Sequence, residues 1–459
     1  MFDPHIGLYS FIPYVMYVMG IAAFLLSIFW RPIVGIYYII PLILLQTARY
    51  HMINLPLGKS VVDIILLGVA LGLMVRGQPI FPKTPWSLLL YVYAVFTFAW
   101  LCLGSLSLHS ELPFSPSDPR LADWKNYMVM PMILFLVAAT AKEPRQMKVV
   151  TGLMCITTLI LNRSIWNTVS GRDFSSFSYD LQEDVNGHIG YAGVNGLATY
   201  EAQIAVFLLA LAACEKKWLL KLGYIVLAIF SMRCLLYSLS REGYLAFLVG
   251  CLFLGLVKQR ALLVLLAVFL SMWTSLVPTA VEQRVNMTYD QRGQLDHSAQ
   301  VRVDLWEEAQ QAFDSRPLLG LGFDTYAYTG HVHGYKDSHN FFVKVVVETG
   351  IVGLLLFLWL LFKTFGTGYR LFRRARDSFV ASLGLGLAAW VVCAAVANFF
   401  GDRWTYIQVN GYMWVLGGLV SRAWVIERGA TPVALHQNAF QCSCADESEG
   451  LEPKSAAAL

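Results

Sequence analysis

The stretch SHNFFVKVVVETG, residues 338–350, sets a histidine at the mouth of an apolar run and then charges that run with Lys344 and Glu348. A helix that only anchors a chain needs neither. Asp337 or Ser338 is placed to cap a helix starting near Asn340, which sets His339 against the positive end of the helix dipole. A cation is disfavoured there, so the imidazole stays neutral and can take a proton or a hydrogen bond from an incoming hydroxyl. The same helix end, with its N–H groups, attracts phosphate.

Three arginines extend this chemistry. Arg241 lies within SLSREG at the tip of an apolar hairpin. Arg233 lies eight residues earlier, about 12 Å deeper if the segment is helical. Arg302 opens RVDLWEEAQQAF. An ionised side chain at the centre of a membrane helix costs about 2.5–3.5 kcal/mol unless it is paired or functional. Guanidinium groups beside a helix N-terminus suit a diphosphate, and a neutral histidine suits a base; together they suit group transfer from a lipid-linked diphosphate. Simpler readings stand beside each: Arg241 snorkelling at an interface, Arg302 paired on a solvated face with Asp304 or Glu308, and Lys344 paired with Glu348 at i,i+4. His331 and His333 would point the same way in an extended segment, but no cysteine or carboxylate cluster completes a metal site beside them. No metal or other cofactor is expected.

Elements that hold such groups must come from the rest of the 459 residues, which are 57% hydrophobic and 14% charged. Soluble domains carry about 25% charged residues, so the composition predicts an all-α polytopic membrane protein rather than a soluble domain with an anchor. The net charge of +4 is too small and too dispersed to suggest nucleic acid, and no nucleic-acid partner is expected. Six of eight cysteines lie in apolar runs and the other two form CSC at 442–444, so no disulfide framework is expected. Thirteen apolar runs between 7–29 and 404–424 predict about 12–13 transmembrane helices, twelve if one early segment is re-entrant. Lys- and Arg-rich loops such as KEPRQMK and KTFGTGYRLFRRAR alternate with a mixed-charge set. The first set reads as cytoplasmic. The second (107–126, 163–190, 240–241, the long 278–340 loop and 401–404) reads as outward-facing. Within the long loop, Val301, Leu305, Ala309, Ala312 and Phe313 share one helical face, which predicts an amphipathic helix on or near the outer membrane surface. Residues 1–426 form the membrane domain, and 427–459 read as a disordered cytoplasmic tail.

At VNGLATYEAQ (194–203), SLSREG (238–243), RVDLWEEAQQAFDSRPLLGLGFDTY (302–326) and SHNFFVKVVVETGIVGLL (338–355), the sequence resembles the bacterial O-antigen ligase and polymerase superfamily. The likeness runs over roughly 190–365. It implies a multi-spanning, GT-C-like, metal-independent inverting glycosyltransferase in the bacterial inner membrane with a periplasmic site. Such an enzyme takes a glycan from an undecaprenyl-diphosphate donor and passes it to a hydroxyl of a glycan, lipid or protein, in lipopolysaccharide or exopolysaccharide synthesis. Arg241 and Arg302 would hold the diphosphate, with Arg233 in support, and His339 would activate the acceptor hydroxyl. The His339–Asn340 pair is present. Asn195 would position the donor or cap its helix, and Glu348 would be structural. Asp402 and Arg403 would contact sugars or form a local salt bridge. A transporter or flippase of lipid-linked glycan is the alternative, disfavoured because the polar groups gather at one face without a visible inverted repeat.

Overall fold

The computed structural model describes residues 12–287, 297–329 and 338–446, with side chains described as far as Glu427. His331, His333 and Asp337 lie outside them, as do residues 447–459. The described residues are helical throughout, apart from turns and one isolated β-bridge between Gly187 and Gly190. The first helices are α1 (Ile12–Phe29), α2 (Ile33–Leu44), α3 (Gln46–Met52), α4 (Val61–Val75), α5 (Ser87–Ser107), α6 (Pro119–Thr140), α7 (Pro144–Val169) and α8 (Tyr179–Glu183). The second half holds α9 (Gly193–Cys214), α10 (Trp218–Tyr237), α11 (Arg241–Val257), α12 (Ala261–Leu276), α13 (Thr279–Asn286) and α14 (His297–Ser315). Then come α15 (Phe341–Arg374), α16 (Ser378–Phe399) and α17 (Ile407–Asp446).

Nine helices among the described residues are long and apolar enough to span a bilayer, or ten if α12 and α13, bent by 106°, count as one broken span. That is fewer than the twelve to thirteen apolar runs. Hydropathy scores a run without knowing where its helix stops: α2 has only 12 residues and α11 only 17, about 18 and 26 Å of rise. The last helix passes the expected boundary at Glu427 and continues to Asp446.

The core sits around α9 and α16, whose spanning windows are 83% and 78% buried; α1, at 17%, is peripheral. α9 packs on α10, α11 and α16, and α16 packs along α15. Small residues make this close approach possible, with Gly250 of α11 against Val206 and Cys393, and Gly368 against Gly384. Thr364 of α15 accepts a hydrogen bond from Trp86 Nε1 (3.1 Å), tying distant segments inside the bundle.

The mixed-charge loops converge on one end. Arg316 bonds Ser107 (2.6 Å), Ala280 N donates to the Phe174 carbonyl (3.1 Å), and Gln182 Nε2 donates to that of Leu239 (3.0 Å). α14 has the predicted face, with Leu305, Ala309 and Ala312 buried. That face rests on protein rather than on the membrane surface, because Tyr326, Val343, Val346 and Val347 cover it.

Candidate functional site

The Arg241 corner is built from behind. Leu239 is fully buried against Ala280, Val281, Phe174 and Leu181, and takes a left-handed φ of 53° that L-residues seldom adopt. This turn delivers Ser240 and Arg241 to the head of α11. Ser240 Oγ donates to Asn195 Oδ1 (2.8 Å), so Asn195 supports the arginine corner from the first turn of α9.

Glu242, buried beside Arg241, joins this corner to the turn between α16 and α17. Arg403 Nε lies 3.7 Å from its Oε1, and a Cβ on Gly401 would sit 3.2 Å from its Oε2. Gly401 in turn accepts from Phe341 N (3.2 Å), the first residue of α15. Asp402, next in the turn, holds Lys344 Nζ at 2.9 Å. Both pairings correct the sequence reading. Lys344 bridges to Asp402 rather than to Glu348, and Asp402 and Arg403 each reach a separate helix instead of forming one local bridge. The turn is thus a clasp between α11 and α15.

His339 sits just before that clasp, half-buried, with φ at 52°. Asn340, rather than Ser338, caps α15: its Oδ1 accepts from Phe342 N (3.0 Å) and Val343 N (3.2 Å). The short amide side chain reaches these first-turn donors, while the Ser338 hydroxyl turns to the Asn340 carbonyl (3.1 Å). With Gly401 taking Phe341 N, the opening N–H groups of α15 are occupied, so they are not the free phosphate cradle the sequence implied. What remains there is the field of the helix dipole.

Arg302 comes from the loop helix. Trp306, one turn along the same face (about 6 Å of rise), donates from Nε1 to the Ser338 carbonyl (3.0 Å), and its ring lies 6.2 Å from that of Phe399. α14 is therefore seated against the residue preceding His339. The Arg241 corner, the α16–α17 turn, the His339 segment and the Arg302 helix form one continuous chain of contacts. Arg233 stands outside it: on the exposed side of α10, its guanidinium stacks 4.0 Å over the Trp166 ring and 5.8 Å from that of Tyr237.

Glu348 holds a loop segment against α15. Its buried carboxylate accepts from Asp324 N (3.0 Å) and Tyr326 N (3.3 Å). Together with Leu321 N to the Val347 carbonyl (2.9 Å) and Gly322 N to the Glu348 carbonyl (2.8 Å), these bonds strap residues 317–326 across α15. The strap crosses where α15 breaks at Gly350 (φ 65°, ψ −170°), and a Cβ there would lie 2.1 Å from the Leu318 carbonyl oxygen. Asp324, in the strap, has its carboxyl pushed up to about 6 by burial, against the pull of Lys344 and with the help of Asp123 and Asp402.

The sequence singles out Arg241, Arg302 and His339, but not Glu242, Trp306 and Gly401, which connect the segments carrying them. Trp306 lies in RVDLWEEAQQAF beside Arg302, whereas Gly401 acts only through its main chain and carries no compositional signal.

Residues 223–358 match the family described as O-antigen ligase, a span that includes Arg233, Arg241, Arg302, His339, Asn340, Lys344 and Glu348 and excludes Asn195. No curated protein matches the chain. The family match bears out the resemblance to the O-antigen ligase and polymerase superfamily.

Proposed function

With a segment of the O-antigen ligase family as premise, and glycan transfer of the ligase or polymerase type as its general activity, we propose the following chemistry. The donor is a glycan on undecaprenyl diphosphate and the acceptor a hydroxyl group of a glycan, lipid or protein. Transfer takes place at the periplasmic face of a bacterial inner membrane. The observation that carries this reading is the unbroken contact path from Ser240–Arg241 through Glu242, Arg403 and Gly401 to Phe341, joined at Ser338 by Trp306 of the Arg302 helix.

In this reading His339 accepts the proton of the acceptor hydroxyl as its oxygen attacks the anomeric carbon. The bond from that carbon to the diphosphate oxygen breaks, and the electron pair leaves with the lipid diphosphate. Attack opposite the leaving group inverts the sugar carbon. Arg241 and Arg302 neutralise the charge that develops on the departing phosphate, a task that two planar guanidinium groups perform without a metal ion. Asn195 fixes the Arg241 corner. The Lys344–Asp402 pair and Asn340 fix the His339 segment. Arg233, its face taken by Trp166, has no part in charge neutralisation.

Purified protein in nanodiscs, given lipid-diphosphate oligosaccharide and an acceptor in the presence of chelator, tests the proposal. Product formed by wild type and lost by about a hundredfold or more in His339→Ala and Arg241→Ala is expected. Product at wild-type rate in His339→Ala, or movement of intact donor between leaflets with no new glycosidic bond, overturns it.

A further inference from the structure

Arg233, which the transfer site leaves aside, is paired in space with a second arginine. Arg163 lies on α7 six residues before its end and Arg233 on α10 four residues before its end, about 9 and 6 Å of rise inside the two helices. The helices are in register at this depth. The Asn162 and Ser231 side chains hydrogen-bond at 2.9 Å, and Cys234 Sγ donates to the Asn162 carbonyl (3.7 Å). Both arginines are exposed, and among the described residues no ion pair involves either.

The two side chains share one flank of the bundle. The Arg233 guanidinium stacks 4.0 Å over the Trp166 ring. Trp166 is three residues from Arg163 along α7, a spacing that sets the two Cβ atoms about 5–6 Å apart. The cations thus border one open patch, roughly 10 Å across on these distances. Deeper along each helix runs an exposed apolar stripe. Ile156 and Leu159 precede Arg163 by seven and four residues, and Val226 and Ile229 precede Arg233 by the same steps, the spacing of a single helical face. All four are between 50% and 57% exposed. Both helices are long and apolar enough to cross a bilayer, so the stripes meet hydrocarbon and the arginines meet the headgroup layer.

A single arginine near a helix end reaches water by snorkelling. Two at one depth on adjacent helices, one of them fixed on an indole ring and neither offset by a carboxylate, set a double positive charge above a hydrocarbon-facing surface. Charge complementarity calls for an anion, and planar guanidinium groups match phosphate. The stripes beneath call for an anion carried on acyl chains. We propose that Arg163 and Arg233 bind the phosphate of an anionic phospholipid whose chains lie along Ile156, Leu159, Val226 and Ile229. The donor carrier is not the occupant, because Phe174 packs on Tyr237 (ring centroids 4.7 Å apart) and on Leu239, standing between this flank and the Arg241 corner. The site is independent of the transfer reading.

The test titrates full-length protein in neutral detergent with phosphatidylglycerol that carries a photoreactive group in one acyl chain, and maps the cross-links by peptide mass spectrometry. Labelling of α7 and α10 beside the two stripes is expected at the lowest lipid concentrations. Arg163→Gln and Arg233→Gln should each raise the concentration for half-maximal labelling of this flank about fivefold, and the double variant roughly twenty- to thirtyfold, with other segments unchanged. Arg163→Lys keeps the charge and should stay within about twofold of wild type. Unlabelled phosphatidylglycerol should compete, whereas phosphatidylcholine and inorganic phosphate should each need at least about tenfold more. Equal labelling of the flank in wild type and the double variant overturns the site. So does equal competition by phosphatidylcholine, which shows that the chains alone bind, or by inorganic phosphate, which shows that the anion alone binds. Undecaprenyl diphosphate competing about tenfold better than phosphatidylglycerol overturns the phospholipid assignment. Arg241→Ala should leave the labelling unchanged, and its loss there would merge this flank with the arginine corner and overturn the proposal.

Discussion

Replacing Glu348 by alanine should unfasten the strap without melting the bundle. The wild-type carboxylate is 3% exposed and accepts two main-chain N–H groups, those of Asp324 at 3.0 Å and Tyr326 at 3.3 Å. A hydrogen bond contributes about 0.5–1.5 kcal/mol net, so the two amides lose about 1–3 kcal/mol of local ordering. Removing a buried carboxyl group also recovers its desolvation cost. Global stability therefore changes by less than local stability. At 1.4 kcal/mol per decade, about 1–3 kcal/mol is roughly a fivefold to hundredfold increase in opening. Hydrogen–deuterium exchange in nanodiscs should show the Asp324 and Tyr326 amides exchanging about fivefold to a hundredfold faster. Phe323, whose N–H is held by the Trp100 carbonyl, should accelerate far less. Exchange at Asp324 and Tyr326 within threefold of wild type would refute the lock, and equal acceleration at Phe323 would show general loosening instead.

Other expectations follow from the same contacts. Gly350→Ala puts a Cβ 2.1 Å from the Leu318 carbonyl oxygen at a φ of 65°; thermal unfolding in detergent should register a loss of several kcal/mol. Lys344→Met and Asp402→Asn should each destabilise more than half as much as the double variant, with a coupling of about 1–3 kcal/mol in a double-mutant cycle. The Asp324 carboxyl, raised to about 6 from 3.8 chiefly by burial, favours the folded state when protonated. Its contribution is full below pH 4 and is lost as pH rises through about 6. The strap amides should therefore exchange faster, after correction for intrinsic rates, at pH 7.5 than at pH 5, and Asp324→Asn should flatten that difference.

The sequence made some of this legible because certain patterns are local. Apolar runs mark helices, and the face of Leu305, Ala309 and Ala312 marked an amphipathic helix. Patterning says that such a face is buried but not what buries it, so α14 was expected on lipid when Tyr326 and Val347 cover it. Lys344 was expected to pair with Glu348 because that carboxylate is one turn away. The real partner, Asp402, is 58 residues distant and is brought near only by the α16–α17 turn. Arg241, Arg302 and His339 stood out because charge in an apolar setting is costly. The left-handed turns at Leu239, Asp324 and His339 were invisible, since leucine and histidine do not advertise that conformation as glycine does.

The break at Gly350 divides α15 into a nine-residue head, Phe341–Thr349, and a long shaft that runs to Arg374. The head is moored by Gly401, Asp402 and the strap, all outside the shaft. Helices respond to hydrocarbon thickness by tilting, and a shaft joined through a non-helical residue can tilt about that joint. Because those moorings lie on other segments, a change in bilayer thickness is expected to tilt the shaft before it shifts the histidine end against the arginine corner.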